Sequence, residues 1–209
     1  MVGYYNPSVI LTYVGLIFSV IGIFQATGGN FKAALICLMV SGICDMFDGT
    51  IAKKIKRDKY EKSFGIQIDS LCDLVCFGVF PAIITYYMGL KDIGAIGICI
   101  VCFYVLAAVI RLGFYNVLEE VHRDEGTVTT GFRGIPVTSV ALILPLYKMI
   151  DYFAHFNNNP VMLAIVMFML PLGFLINIPI RKPAKLGKAI LVCIGLAVFL
   201  SVIKFGGKL

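Results

Sequence analysis

From Pro7 onward the chain alternates long apolar stretches with short polar interruptions. Runs of roughly 18 or more apolar residues can cross about 30 Å of hydrocarbon as helices. The pattern predicts membrane helices at about 7–27, 31–53, 66–88, 92–114, 136–154, 160–178 and 187–204. Turn-forming stretches separate them: TGGN at Thr27–Asn30, MGLKD at Met88–Asp92, NNNP at Asn157–Pro160 and IPIRKP at Ile178–Pro183. The first run has no basic start and no small-residue cleavage site, and Thr12 and Tyr13 interrupt it. It reads as a retained helix and not as a removed leader. The expected fold is an all-α integral membrane protein: a polytopic bundle of about six to eight transmembrane helices, forming one membrane domain over residues 1–209.

Composition agrees with that pattern. Hydrophobic residues make up 59% of the 209 and charged residues only 14%, which leaves no polar half able to form a separate soluble domain. A net charge of +6 might suggest nucleic acid, but the basic residues sit in loops beside the apolar runs, where they orient a protein in its membrane and attract anionic headgroups. Nucleic acid is therefore not expected as a partner. The loop after the second helix carries Lys53, Lys54, Lys56, Arg57, Lys59 and Lys62; that after the fourth carries Arg111, Arg123 and Arg133; that after the sixth carries Arg181, Lys182, Lys185 and Lys188. The alternate loops hold only Lys32 and Lys91. This asymmetry predicts a multi-pass protein of the cell membrane with the basic loops on the cytoplasmic side. The cysteines fall within apolar spans and read as reduced packing residues. His122 and His155 are assigned to loops with no catalytic part.

The stretch DMFDGTIAKKIKRDKYEKSFGIQIDSLCD, from Asp45 to Asp73, places four carboxylates at or inside the membrane edge, where unpaired charge is expensive. On a second helix reaching Ala52, Asp45, Asp48, Gly49 and Ala52 fall at i, i+3, i+4 and i+7, one face. Gly65, Asp69 and Asp73 fall at i, i+4 and i+8 on the next helix, which returns antiparallel. Converging anions repel one another and need cations or protons. Oxygen-only ligation suits a hard divalent ion, Mg²⁺ or Mn²⁺, and four carboxylates are enough for two such ions, a recurring arrangement in phosphoryl transfer. Gly49 and Ala52 leave room beside the carboxylates for a ligand, and Lys53 and Lys54 are placed to meet phosphates. A structural ion cluster or a cation transport pathway would use the same carboxylates, but neither accounts for the small residues on the shared faces.

DMFDGTIAK followed by GIQIDSLCD resembles the signature of the CDP-alcohol phosphatidyltransferases, DxxDGxxAR, a variable spacer, then GxxxDxxxD. Asp45, Asp48, Gly49, Ala52, Gly65, Asp69 and Asp73 match it. Lys53 stands where the family usually has Arg, and the spacer is longer than the commonest one. Within the family, FGIQIDSLCDLVCFGVFPA (Phe64–Ala82), IRLGFYNV (Ile110–Val117) and GFRGIPVTSVA (Gly131–Ala141) are similar to segments of the membrane-embedded phosphatidylserine synthases. The second of these commonly reads RLARFN there; Arg111, Leu112 and Asn116 match, while Gly113 and Phe114 depart.

The resemblance implies transfer of the phosphatidyl group from CDP-diacylglycerol to the hydroxyl of L-serine, with release of CMP by direct displacement. Under it Asp45, Asp48 and Asp69 hold the divalent ions, and Asp73 joins them or acts as general base. Thr12, Asp48, Gly49, Ala52, Lys53 and Gly65 accommodate the CDP-lipid. Arg111, Asn116 and Arg133 receive serine, an Arg fork being suited to its carboxylate. The resemblance also leads to the expectation of a homodimer among membrane lipids. A related transferase using glycerol 3-phosphate or inositol phosphate is the alternative within the family, and a cation transporter the alternative outside it. The GIPV stretch at Gly134–Val137 is expected to open the fifth helix with Pro136 in its first turn.

Overall fold

In a computed structural model the chain is helical almost throughout; it describes residues 3–52, 54–55, 58–124, 132–154, 159–177, 179–180 and 185–205. The helices are α1 (Pro7–Thr27), α2 (Phe31–Ala52), α3 (Lys59–Met88), α4 (Ala95–Asp124), α5 (Val140–Ala154), α6 (Pro160–Leu175) and α7 (Lys185–Phe205). Among the described residues, five segments are long and apolar enough to cross a membrane: Pro7–Thr27, Phe31–Ala52, Lys59–Met88, Ala95–Val121 and Val137–Ala154. Pro160–Leu175 and Ile194–Lys204 are shorter apolar helices. The expected all-α membrane bundle is what the chain forms.

Three boundaries differ from expectation, each for a local reason. Helix α3 starts at Lys59, seven residues before the expected 66, because Asp58 and Glu61 form a capping box. The Glu61 N–H donates to Asp58 Oδ1 at 2.7 Å and the Asp58 N–H donates to Glu61 Oε2 at 3.1 Å. Helix α4 begins after a 3₁₀ turn at Leu90–Ile93 and runs to Asp124, ten residues beyond the expected 114. Arg111, expected near the end of this helix, lies well inside it. The fifth helix opens with a 3₁₀ turn at Val137–Ser139, so Pro136 precedes the helix in extended conformation and is not in its first turn.

Close contact between α1 and α2 depends on small residues. Gly15, Ser19, Gly22 and Ala26 follow one another at helical spacing and are buried. A Cβ on Gly22 would overlap the Phe80 ring and stand 2.9 Å from Cys37 Cβ. Between the two helices Ser41 Oγ donates to the Gly15 carbonyl at 2.8 Å and lies 2.9 Å from Ser19 Oγ. Small residues at helix interfaces and hydroxyls bonding across them are how helices associate where lipid offers no hydrophobic contrast. Gly42 of α2 meets α5 in the same way: a Cβ there would stand 2.7 Å from Ala141 Cβ.

Helix α3 changes its winding in the middle. Leu74–Val79 is a π turn, closed by the Phe80 N–H on the Val75 carbonyl. Pro81 follows and has no N–H for the Phe77 carbonyl four residues back. The fully buried Tyr104 of α4 supplies the missing donor, its hydroxyl reaching Phe77 O at 2.7 Å. Around this junction lies the core: Leu35 and Leu38 of α2, Phe77, Phe80 and Ile84 of α3, Leu144 of α5 and Met167 of α6.

The cysteines Cys37, Cys44, Cys72 and Cys76 are free and buried, as expected of packing residues. Cys99 and Cys102, one helical turn apart on α4, are free and exposed.

Two further features brace the bundle. Phe132–Arg133 pairs antiparallel with Pro179–Ile180, joining the segment before α5 to the one after α6. Lys148 and Asp151 of α5 form a buried ion pair, Nζ to Oδ2 at 3.1 Å, with 3% and 4% of their side chains exposed.

Candidate active site

The carboxylates converge because two helix faces meet. Asp45 and Asp48 come from the last two turns of α2 and Asp69 from the third turn of α3. One carboxylate oxygen from each lies within 4.8 Å of the others. Asp48 is only 5% exposed, while Asp45 and Asp69 are half-buried. None of the three has a cationic partner among the described residues. Three like charges at this spacing, partly out of water, need positive charge between them.

Helix α1 completes the site. Thr12 Oγ1 lies 2.7 Å from Asp48 Oδ2 and 3.1 Å from the Ser8 carbonyl. The hydroxyl has one proton, and the shorter contact is to the carboxylate. The start of α1 is held by Asn6, which accepts from the Val9 N–H at 3.2 Å and from Ser8 Oγ at 2.7 Å, with Pro7 at the first helical position. Thr12 thus reaches the site from a rigidly started helix.

Asp73 is one turn deeper on α3. It stands outside the close trio. At the mouth of the site Gly49 is exposed, with nothing within 4 Å of where a Cβ would stand. Gly65 and Ala52 are half-buried. Lys53 lies outside the described residues.

The sequence model of the CDP-alcohol phosphatidyltransferase family matches residues 5–203. The chain belongs to this family. Among its curated relatives, the CDP-diacylglycerol–serine O-phosphatidyltransferase of Helicobacter pylori is 29% identical over 174 residues, 83% of this chain and 70% of that protein. The archaetidylserine synthase of Methanothermobacter thermautotrophicus is 27% identical over 150 residues, 72% of this chain and 60% of its own. The Bacillus subtilis CDP-diacylglycerol–serine O-phosphatidyltransferase is 28% identical over 136 residues, 65% of this chain and 67% of that one. The phosphatidyltransferase signature thus falls on the two helix faces that form the carboxylate cluster.

The structure separates the three residues expected to receive serine. Asn116 faces α3, where Ser70 Oγ donates to its Oδ1 at 2.6 Å, one residue from Asp69. Arg111 is 6% exposed, and its guanidinium holds backbone: Nη1 donates to Phe174 O at 2.9 Å and Nη2 reaches Gly134 O at 3.4 Å. The guanidinium carbon also lies 4.8 Å from the centre of the Tyr115 ring. Gly134 is fitted to this contact, with φ +66° and a Cβ position 2.6 Å from Ile176 O and 3.0 Å from Arg111 Nη1. Arg111 therefore ties the turn before α5 to the end of α6. The backbone of Arg133 lies in the two-residue bridge; its side chain and that of His122, as well as His155 as a whole, lie outside the described residues.

Sequence reasoning did not single out Ser70 or Ser8. The signal for Ser70 was its place beside Asp69 on the face turned toward α4.

Proposed function

We propose that the chain transfers the phosphatidyl group of CDP-diacylglycerol to the hydroxyl of L-serine, giving phosphatidylserine or its lipid analogue and CMP. The observation that carries this reading is the trio Asp45, Asp48 and Asp69, gathered within 4.8 Å on the family's signature faces. Its relatives from bacteria and an archaeon, named for serine transfer, support the acceptor.

An all-oxygen donor set, without a cationic partner among the described residues, fits Mg²⁺ or Mn²⁺. Asp45, Asp48 and Asp69 would hold the ions, with Asp73 adjoining, and bound metal supplies charge neutralisation for the pyrophosphate and the departing CMP. The chain's own residues do the rest. Thr12 fixes the orientation of Asp48 by its hydrogen bond, and the bare surface at Gly49 admits the CDP moiety. Asp73 takes the proton of the acceptor hydroxyl. The hydroxyl oxygen then forms a bond to the phosphorus that carries the diacylglycerol, and the bond from that phosphorus to the bridging oxygen of CMP breaks. In this reading the site faces the cytoplasm, on the side of the Lys53–Lys62 connection, and the protein works as a homodimer.

Release of CMP from CDP-diacylglycerol by the purified chain tests the proposal. With Mg²⁺ or Mn²⁺ supplied, release should depend on L-serine and yield the phosphatidylserine product, and a chelator should stop it. Release driven by glycerol 3-phosphate or inositol phosphate would overturn the acceptor. No release with any alcohol would overturn the reaction.

A further inference from the structure

Helix α3 is unevenly held. Among the described residues of Lys59–Asp73, the part that carries Asp69 and Asp73, only Cys72 is buried, whereas Phe80, Ala82, Ile84 and Met88 are all buried after the π turn. The packed part is fixed by its neighbours, the Phe80 ring taking the space that Gly22 of α1 leaves free. The carboxylate part carries the Ser70 bond to Asn116 but little buried surface. Its course therefore depends on the π turn, Leu74–Val79, that joins it to the packed part. The weak point of that turn is the Phe77 carbonyl, four residues past Asp73 and about 6 Å along the axis. Pro81 leaves it without the N–H donor of an ordinary helix.

Tyr104 of α4 closes this gap, its hydroxyl donating to Phe77 O at 2.7 Å from a fully buried position. Ala107 and Ala108, three and four residues on, are fully buried as well and let α4 come close: a Cβ on Gly78 of the turn would stand 3.4 Å from Ala108 Cβ. The Tyr104 ring also packs on Phe174 of α6, with centroids 5.6 Å apart. A phenylalanine would fill the same space without desolvating a hydroxyl, so what the hydroxyl adds is the bond to the carbonyl. Without that donor Phe77 O is an unpaired polar group in a membrane interior, and rewinding the turn becomes the way to satisfy it. Resting on the reading of Asp45, Asp48 and Asp69 as a divalent-ion site, we propose that Tyr104 is a positioning residue for that site: by closing Phe77 O it holds the π turn, and through the turn it keeps Asp69 in reach of Asp45 and Asp48. Tyr104 itself is no part of the carboxylate cluster.

Titration of the full purified chain with Mn²⁺, followed by the spin-resonance signal of the free ion, reads the effect apart from turnover. Tyr104→Phe keeps the ring and its packing and should weaken Mn²⁺ binding by about tenfold, the weight of one hydrogen bond. The Mn²⁺ concentration for half-maximal CMP release should rise by the same factor, with kcat at saturating Mn²⁺ little changed. Pro81→Ala returns an N–H to position 81, so the double variant Tyr104→Phe, Pro81→Ala should bind Mn²⁺ as the unaltered chain does. Ile84→Ala, a core truncation in the packed part, should lower the unfolding temperature in detergent and leave Mn²⁺ affinity unmoved. Unchanged Mn²⁺ affinity in Tyr104→Phe, an equal loss in Ile84→Ala, or a double variant no better than Tyr104→Phe would overturn the positioning role while leaving the ion site in place. An unaltered chain that binds no Mn²⁺ would overturn the ion site, and the role of Tyr104 with it.

Discussion

Two buried charge clusters among the described residues are built on opposite principles. In α5, Lys148 and Asp151 are of opposite sign, in contact and almost fully enclosed. Where α2 meets α3, Asp45, Asp48 and Asp69 are of one sign, close together and half open. The first arrangement sets opposite charges against each other within the protein. The second is incomplete as a matter of electrostatics and must draw a cation or a proton. Buried charge in a membrane helix thus has two meanings, told apart by whether the protein supplies the opposite charge. In the proposed reading the aspartates serve chemistry, while the α5 pair holds opposite charges together inside the bundle.

That contrast breaks most sharply at Asp69. Asp69→Asn removes one of three like charges, so it should leave thermal stability equal or higher while lowering CMP release by a thousandfold or more, about 4 kcal/mol of transition-state stabilisation. A variant that unfolds instead would make the trio structural. Lys148→Met should show the reverse signature. Thermal unfolding in detergent should report a loss of about 3–5 kcal/mol, because the buried contact of Asp151 to the opposite charge is removed, whereas the double variant Lys148→Met, Asp151→Leu should recover much of it. Turnover per folded molecule should not change.

Arg111 is a third buried charge, and its carbonyl partners put it on the structural side. Gly134→Ala forces a left-handed residue to carry a methyl against Ile176 O and Arg111 Nη1. The expected cost is about 1–3 kcal/mol in the same unfolding measurement. A neutral result would mean that Arg111 is not committed to this turn and can serve serine. The smallest effect is expected at Thr12→Val, which keeps the shape and removes the donor to Asp48. CMP release should fall about tenfold, or 1.4 kcal/mol, with little change in stability.

Much of this was legible in the sequence because membrane helices and intramembrane carboxylates leave strong signals. The apolar runs placed every helix, and the spacing of Asp45, Asp48 and Asp69 placed them on faces that do meet. The early start of α3 escaped because Lys59 to Gln67 is too polar for a hydropathy reading, although Asp58 and Glu61 spell a capping box three residues apart. Lys148 and Asp151 were equally readable as opposite charges at i, i+3, and were missed because they lie inside an otherwise apolar run. Arg111 was ambiguous in principle: a lone Arg at a predicted helix end serves a ligand or a carbonyl equally well until the partner carbonyls, Gly134 and Phe174, are brought to it by tertiary contact. The π turn of α3 has no compositional signature beyond the proline that follows it.

That turn has a consequence for how the sequence encodes the protein. A π turn takes up one residue more than an α turn, so everything after Val79 is rotated by about 100° relative to an unbroken helix. Asp69 and Asp73 lie before it; Phe80 and Ile84, which fill the core, lie after it. The angle between the reactive edge of α3 and its packing edge is therefore set by a count of residues and not by their kind. One deletion between Leu74 and Val79 would preserve every side chain of the signature and still turn it away from its neighbours, like a key cut correctly but filed one notch out of phase.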